Sequence, residues 1–261
     1  MRLLLFPVLL LAAACAQESR QPAESAAWSA CSTEMFEGSQ FTVCSAAGPI
    51  ELHSAGPDGR PTRGFAELEA QLGPRATHVA FAMNAGMFDE EGRAIGLLIE
   101  KGKEVHSINR RKGGGNFHLM PNGVFVVRRD GSANVVTTAE FEPREDIAYA
   151  TQSGPMLVID GKLHPDFEPD GESRNIRNGV GIGPDGRPLF VISEDFVSFG
   201  KFARFFRDAL KSKYALYFDG SVSSLWDPAN GRRDVGAELG PMVVVFRTAG
   251  SKPGREGRAR P

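Results

Sequence analysis

The sequence predicts a single α+β domain built on a large, mostly antiparallel sheet with a few flanking helices. Three observations point there. The 261 residues include 30 Gly and 17 Pro, the punctuation of many turns and short strands rather than of a helical bundle. Ten short apolar runs read as strands, several joined by Asp-Gly turns such as Asp160-Gly161 and Asp185-Gly186. Only two stretches carry a helical pattern, Phe65 to Leu72 and Ser198 to Lys213.

Taken in order, Met1 to Cys15 reads as an export signal. Arg2 supplies a positive end, Leu3 to Leu11 a short apolar stretch, and Ala12 to Ala14 precede Cys15. The stretch is too short to span a bilayer. Small residues directly before a Cys resemble a bacterial lipoprotein cleavage site, which would make Cys15 the lipidated residue and place the protein in the cell envelope. An ordinary cleaved signal is the alternative. Residues 16–27, small and polar, suit a flexible tether, and residues 249–261 a disordered basic tail. Between them residues 28–248 form one globular region. With Cys15 removed, Cys31 and Cys44 remain. In an oxidising compartment these favour a disulfide closing a hairpin around Glu37-Gly38-Ser39.

The strand candidates are Gln40–Ser45, His78–Met83, Ile95–Glu100, Gly123–Arg128, Val135–Thr138, Met156–Ile159, Gly179–Gly183, Leu189–Ser193, Ala215–Phe218 and Met242–Phe246. The first helix stops before Gly73-Pro74. The second has Ser198 as a cap and Phe202, Phe205, Phe206, Ala209 and Leu210 on one face. Lys211 and Lys213 suit its negative end.

Charge and motifs exclude several functions. Thirty Lys and Arg against 32 Asp and Glu leave a net charge of −2, without the basic excess of a nucleic-acid binder. The GVGIG run at 179–183 is followed by a Pro-Asp-Gly turn, not a helix, so it is no dinucleotide fingerprint. Gly113 to Gly115 is no Walker loop for the same reason. Five scattered His residues give neither a helical zinc pair nor an evident serine triad. Three polar strand tips remain: Asn84-Ala85-Gly86, Arg174 to Asn178, and Asp219-Gly220-Ser221. Each taken alone is an ordinary turn or surface group.

Four blocks in sequence order resemble those of the phosphodiester glycosidase family: NAGMF at 84–88, SGPMLVIDGK at 153–162, RNGVGI at 177–182 and DGSVSSL at 219–225. GGGNFHLMPNGVF at 113–125 is similar to an exported bacterial subgroup. Asn178 stands in place of the usual Thr, and Ser221 and Val222 in place of glycines, so the sugar is left open.

The resemblance implies hydrolysis of the bond between a sugar's anomeric carbon and a phosphodiester. It implies Asp219 as general base or nucleophile with Glu194 in reserve, and Arg177 as the cation facing the departing phosphate. Asn84, Gly86, Asn116, His118, Gln152, Ser153, Gly154, Asn178, Gly220 and Ser221 would bind the sugar or line the mouth. No cofactor is required, although Asp and Asn oxygens could hold a divalent cation. The partners expected are a sugar-phosphate or glycan substrate and, through Cys15, a membrane. The rival readings are a non-catalytic binder of glycan or phosphate polymer, a phosphodiesterase that cleaves P–O, and a structural lipoprotein scaffold.

Overall fold

The computed structural model describes residues 29–248. Residues 1–28 and 249–261, where the signal segment with Cys15, the tether and the basic tail were expected, lie outside the described residues. Among the described residues no helix is long and apolar enough to cross a membrane.

The strands open with β1 (Cys31–Phe36), β2 (Ser39–Ser45), β3 (Ile50–His53), β4 (Val79–Asn84), β5 (Leu98–Glu100) and β6 (Lys103–His106). They continue with β7 (Gly123–Arg128), β8 (Ala133–Thr137), β9 (Ile147–Ser153), β10 (Met156–Ile159) and β11 (Lys162–Leu163). The last are β12 (Asn178–Ile182), β13 (Pro188–Ser193), β14 (Ala215–Tyr217), β15 (Leu225–Asp227), β16 (Arg232–Arg233) and β17 (Met242–Phe246). The α-helices are α1 (Phe65–Leu72) and α2 (Phe199–Arg204).

The α+β class and its antiparallel character hold. The strands divide among three sheets where one large sheet was expected. Their orders are β1-β2-β13-β12-β14-β10-β11, β16-β15-β4-β17-β3 and β6-β5-β9-β7-β8. The sheets meet on three phenylalanines, one from each. Phe190 of β13 packs edge-on against Phe81 of β4 and Phe125 of β7, with centroids 5.5 Å apart in both pairs. All three are fully buried, and such pairs add about 1 kcal/mol each beyond their area.

Turn chemistry sets the hairpins. Glu37 and Gly38 have φ of 45° and 73°, and Asp160 and Gly161 have 48° and 74°. Two successive positive φ values match the right-handed twist of the strands they join. The first hairpin aligns Cys31 with Cys44, and the expected disulfide joins them. A Cys31→Ala/Cys44→Ala chain is expected to lose about 3 kcal/mol, the entropy of the opened loop, seen as a lower urea midpoint.

The helices cover outer sheet faces. Phe65, Leu68 and Leu72 of α1 pack with Val244 and Trp226. α2 and the turn after it set Phe202, Phe205 and Phe206 against Phe41, Val191 and Tyr217. Ser198 caps α2 as expected, its Oγ accepting from Lys201 N at 3.1 Å. The helix is shorter than the sequence suggested. After Arg204 it loosens into a π-turn over Phe205–Ala209, closed by Leu210 N to Phe205 O. Lys211 then turns the chain with φ 57°, so Lys211 and Lys213 lie beyond the helix.

Candidate active site at three strand tips

The expected tips meet. β4 ends at Asn84, β12 begins at Asn178, and β14 runs through Tyr217 toward Asp219. Asn84 Nδ2 donates to Asp219 O at 2.7 Å, and Asn178 Nδ2 donates to Asn84 O and Oδ1, both at 2.9 Å. Ser224 N donates to Asn84 Oδ1, Ser223 Oγ to Asn178 Oδ1, and Asp219 N to Ala85 O. Both asparagines are buried. Their amides are occupied by one another, by backbone and by the Ser223 hydroxyl, because buried polar groups must find partners. They clasp the tips together, and the sugar-binding role expected for them would have to be met by other groups.

Asp219 is the polar group left half-open. Its Oδ1 accepts from Ser221 N at 3.2 Å and from Ser221 Oγ at 2.5 Å. Burial pushes its carboxyl above the ordinary carboxylate value, and the Ser221 bonds pull the other way.

Arg177 is only 1% exposed. Its Nε donates to Val197 O at 2.9 Å, Nη2 to Ser173 O at 2.8 Å, and Nη1 to the Tyr217 hydroxyl at 3.2 Å. The guanidinium carbon lies 3.6 Å from the centre of the Phe199 ring, a cation–π contact. Among the described residues it makes no ion pair with a carboxylate, and burial pulls its pKa down. The fork is therefore turned into the protein, not held out for a phosphate.

The link between Arg177 and Asp219 is Tyr217, which the sequence reading did not select. Its ring is buried. Its hydroxyl accepts from Arg177 and lies close against Gly220. Burial raises its pKa, with Arg177 opposing, so the phenol keeps its proton at neutral pH. The available signal was alternation. Residues two apart in extended chain share a side, which puts Tyr217 with Asp219. Gly220 is needed for closeness: a Cβ there would sit 1.8 Å from the Tyr217 hydroxyl. Gly220→Ala is expected to displace the Asp219 loop and cut turnover by about 100-fold in a normally folded chain, as judged by circular dichroism.

The remaining expected residues separate into three groups. Gly86 and Gly154 are packing positions. A Cβ on Gly86 would meet Thr151 Oγ1 at 2.3 Å and Gln152 O at 2.7 Å, and one on Gly154 would meet Asn122 Cβ at 2.6 Å. Ser153 is buried with no partner for its hydroxyl among the described residues, and so is the Thr151 hydroxyl two residues before it. Gln152 is saturated: Oε1 accepts from Leu97 N and Asn109 N, while Nε2 donates to Asn109 O and Thr138 Oγ1. It holds a loop in place and has no capacity left for a substrate.

Glu194, the reserve carboxylate, accepts from Thr42 Oγ1 and Arg232 Nη1, both at 2.5 Å. It lines a cavity of about 580 Å³ with Asp227, Arg232 and Gln40, whose walls include none of Asn84, Asn178 or Asp219. Asn116 is exposed at the start of a short 3₁₀ turn. His118 lines a different cavity, with His106, Arg111 and Lys112. Among the described residues no three His, Cys, Asp or Glu side chains group as metal ligands.

Comparison with known proteins bears on the fold and the family. An Escherichia coli (strain K12) protein, the uncharacterized YigE, is 38% identical over 148 residues, 57% of this chain and 58% of its own length. The match thus spans less than two thirds of that relative. Among solved structures, the zebrafish N-acetylglucosamine-1-phosphodiester alpha-N-acetylglucosaminidase catalytic domain, auto-inhibited by its pro-peptide, superposes with a TM-score of 0.58. It is 16% identical and is matched over 84% of this chain and 82% of its own. A hypothetical protein from Synechocystis gives a TM-score of 0.52 at 13% identity, over 83% of this chain and 61% of its own. At these identities the two structures speak for the fold alone. The sequence model of the phosphodiester glycosidase family matches residues 77–245, a span that holds Asn84, Arg177, Tyr217 and Asp219. With well over half its length inside that match, the chain belongs to the phosphodiester glycosidase family.

Proposed function

We propose that this protein is a hydrolase that cleaves the bond between a sugar's anomeric carbon and a phosphodiester, working as an exported protein anchored to the envelope through a lipidated Cys15. One observation carries the chemistry. Asp219, a carboxyl with a raised pKa, stands two residues from a tyrosine whose hydroxyl is backed by a buried arginine that has no acidic partner among the described residues.

The division of labour follows from charge. Bond breaking leaves positive charge on the sugar and negative charge on the departing phosphate. Ionised Asp219 serves the sugar side, as base toward water or as nucleophile. Tyr217 serves the phosphate side by donating its O–H, polarised by Arg177. The arginine acts through the tyrosine, which fits its inward-turned fork. A phosphate monoester is already a good leaving group, so a phenol suffices where an ordinary glycoside would need a strong acid.

Ionised Asp219 is the working form, so activity falls as pH drops through its raised pKa. Ser221→Ala removes the hydroxyl bond that favours the ionised form and keeps the backbone N–H bond. Its acid limb is expected to move to higher pH, with the plateau rate little changed. A limb that stays in place would detach Asp219 from the profile.

The reading is tested with a panel of nitrophenyl sugar phosphodiesters, with and without chelator. Release of free sugar supports it. Ligand binding without product across the panel would favour the non-catalytic binder.

A further inference from the structure

The stretch between β4 and β7, with the end of β6, borders an open cavity of about 390 Å³, lined by Asp89, Ala94, Ile95, His106, Asn109, Arg111, Lys112 and His118. Its size falls in the range of small-ligand sites. Its walls carry an unbalanced charge. Among the described residues neither Arg111 nor Lys112 has a carboxylate partner, whereas Asp89 is neutralised by Arg93, 2.9 Å away. Each imidazole uses Nδ1 on a carbonyl: His106 on Gly96 O and His118 on Arg111 O, both at 2.9 Å. With Nδ1–H given to a carbonyl, each neutral ring presents Nε2 as an acceptor, able to take the O–H of a protonated phosphate oxygen but not to donate to an oxyanion.

The cavity is also held in shape from behind. Buried Gln152 ties Leu97 N, Asn109 N and Asn109 O together. Asn109 in turn donates to Ile95 O and accepts from Arg111 N. Gly113 runs against the His118 ring, where a Cβ would approach Cδ2 to 2.9 Å. Two cations on one concavity, with no carboxylate partner among the described residues, are complementary to an oxyanion. The wall joins the strand tips by a short path. Ala85 O takes the Asp219 N–H, and Met87 O, two residues on, takes the N–H of Ile95.

We infer that this cavity is an oxyanion site that takes a phosphate group, apart from the Arg177–Tyr217 pair. The phosphate would come either from a second anionic group on the substrate or from a free phosphate monoester. Only the first source rests on the hydrolase reading above.

Calorimetric titration of the full chain with inorganic phosphate and with a sugar phosphate tests the site without reference to turnover. Saturable binding is expected, weakening as salt is raised and falling about tenfold or more in Arg111→Ala/Lys112→Ala. Both side chains are exposed, so that variant folds. Arg60→Ala, which removes an exposed arginine elsewhere, is expected to bind as the parent does. Asp219→Asn is expected to keep full phosphate binding, so failure of the hydrolase reading leaves this result standing. A KM raised only for phosphodiesters bearing a second phosphate assigns the site to substrate. An unchanged KM with weakened monoester binding assigns it to the free monoester. No saturable binding, or equal binding in parent and double variant, overturns the site.

Discussion

Asp219→Asn is expected to abolish sugar release while making the fold more stable at neutral pH. The activity loss is about 1,000-fold or more, since an amide can act neither as base nor as nucleophile. The stability gain follows from linkage. Burial raises the folded-state pKa of Asp219 above its ordinary value. A group that holds its proton more tightly when folded stabilises the fold at low pH. That contribution is lost as pH rises from the ordinary carboxylate value through the raised one. Above this window the parent carries a partly buried charge, and the asparagine does not. Its Oδ1 can still accept from Ser221. The melting temperature of Asp219→Asn should therefore exceed the parent's by a few degrees at neutral pH, and the difference should close below the ordinary carboxylate range. A melting point unchanged at every pH would mean that the carboxylate is not desolvated.

Arg177→Lys should cost both stability and rate despite keeping the charge. One ammonium cannot reach Val197 O, Ser173 O and the Tyr217 hydroxyl together, and it loses the flat contact on Phe199. Two buried acceptors left without donors amount to about 2 kcal/mol or more. The urea midpoint should fall at unchanged slope. Turnover should drop by about 100-fold as Tyr217 loses its backing, with a smaller change in KM. A parent-like urea midpoint would show that these bonds contribute nothing.

Local chemistry made much of this fold legible. Glu37-Gly38 and Asp160-Gly161 gave their turns because so few residues accept positive φ. Ser198 gave its cap, and the period of Phe202, Phe205 and Phe206 gave the buried face of α2. What failed depended on distant partners. β9, with the sequence IAYATQS, has a polar end and a small, mixed pattern that does not read as an apolar run. It is a central strand because β5 and β7 pair with it on either side. Nor do apolar runs say which sheet they join, so three sheets read as one.

The site was legible in the same uneven way. Polar ends on apolar strands marked Asn84, Asn178 and Asp219, and these residues do meet. The use of each amide was hidden, because Asn84 answers to a carbonyl 135 residues away. Gln152 looked like part of a binding tip and is a loop clamp. Arg177 looked like a phosphate fork and faces Tyr217.

Hydrolysis in water enriched in heavy oxygen tests the central claim most directly. Attack at the anomeric carbon, guided by Asp219, puts the heavy atom on the released sugar and leaves the phosphate monoester unlabelled. A label found on the phosphate would mean that the P–O bond is the one broken, and would contradict a base or nucleophile role for Asp219 at the sugar and a donor role for Tyr217 at the phosphate.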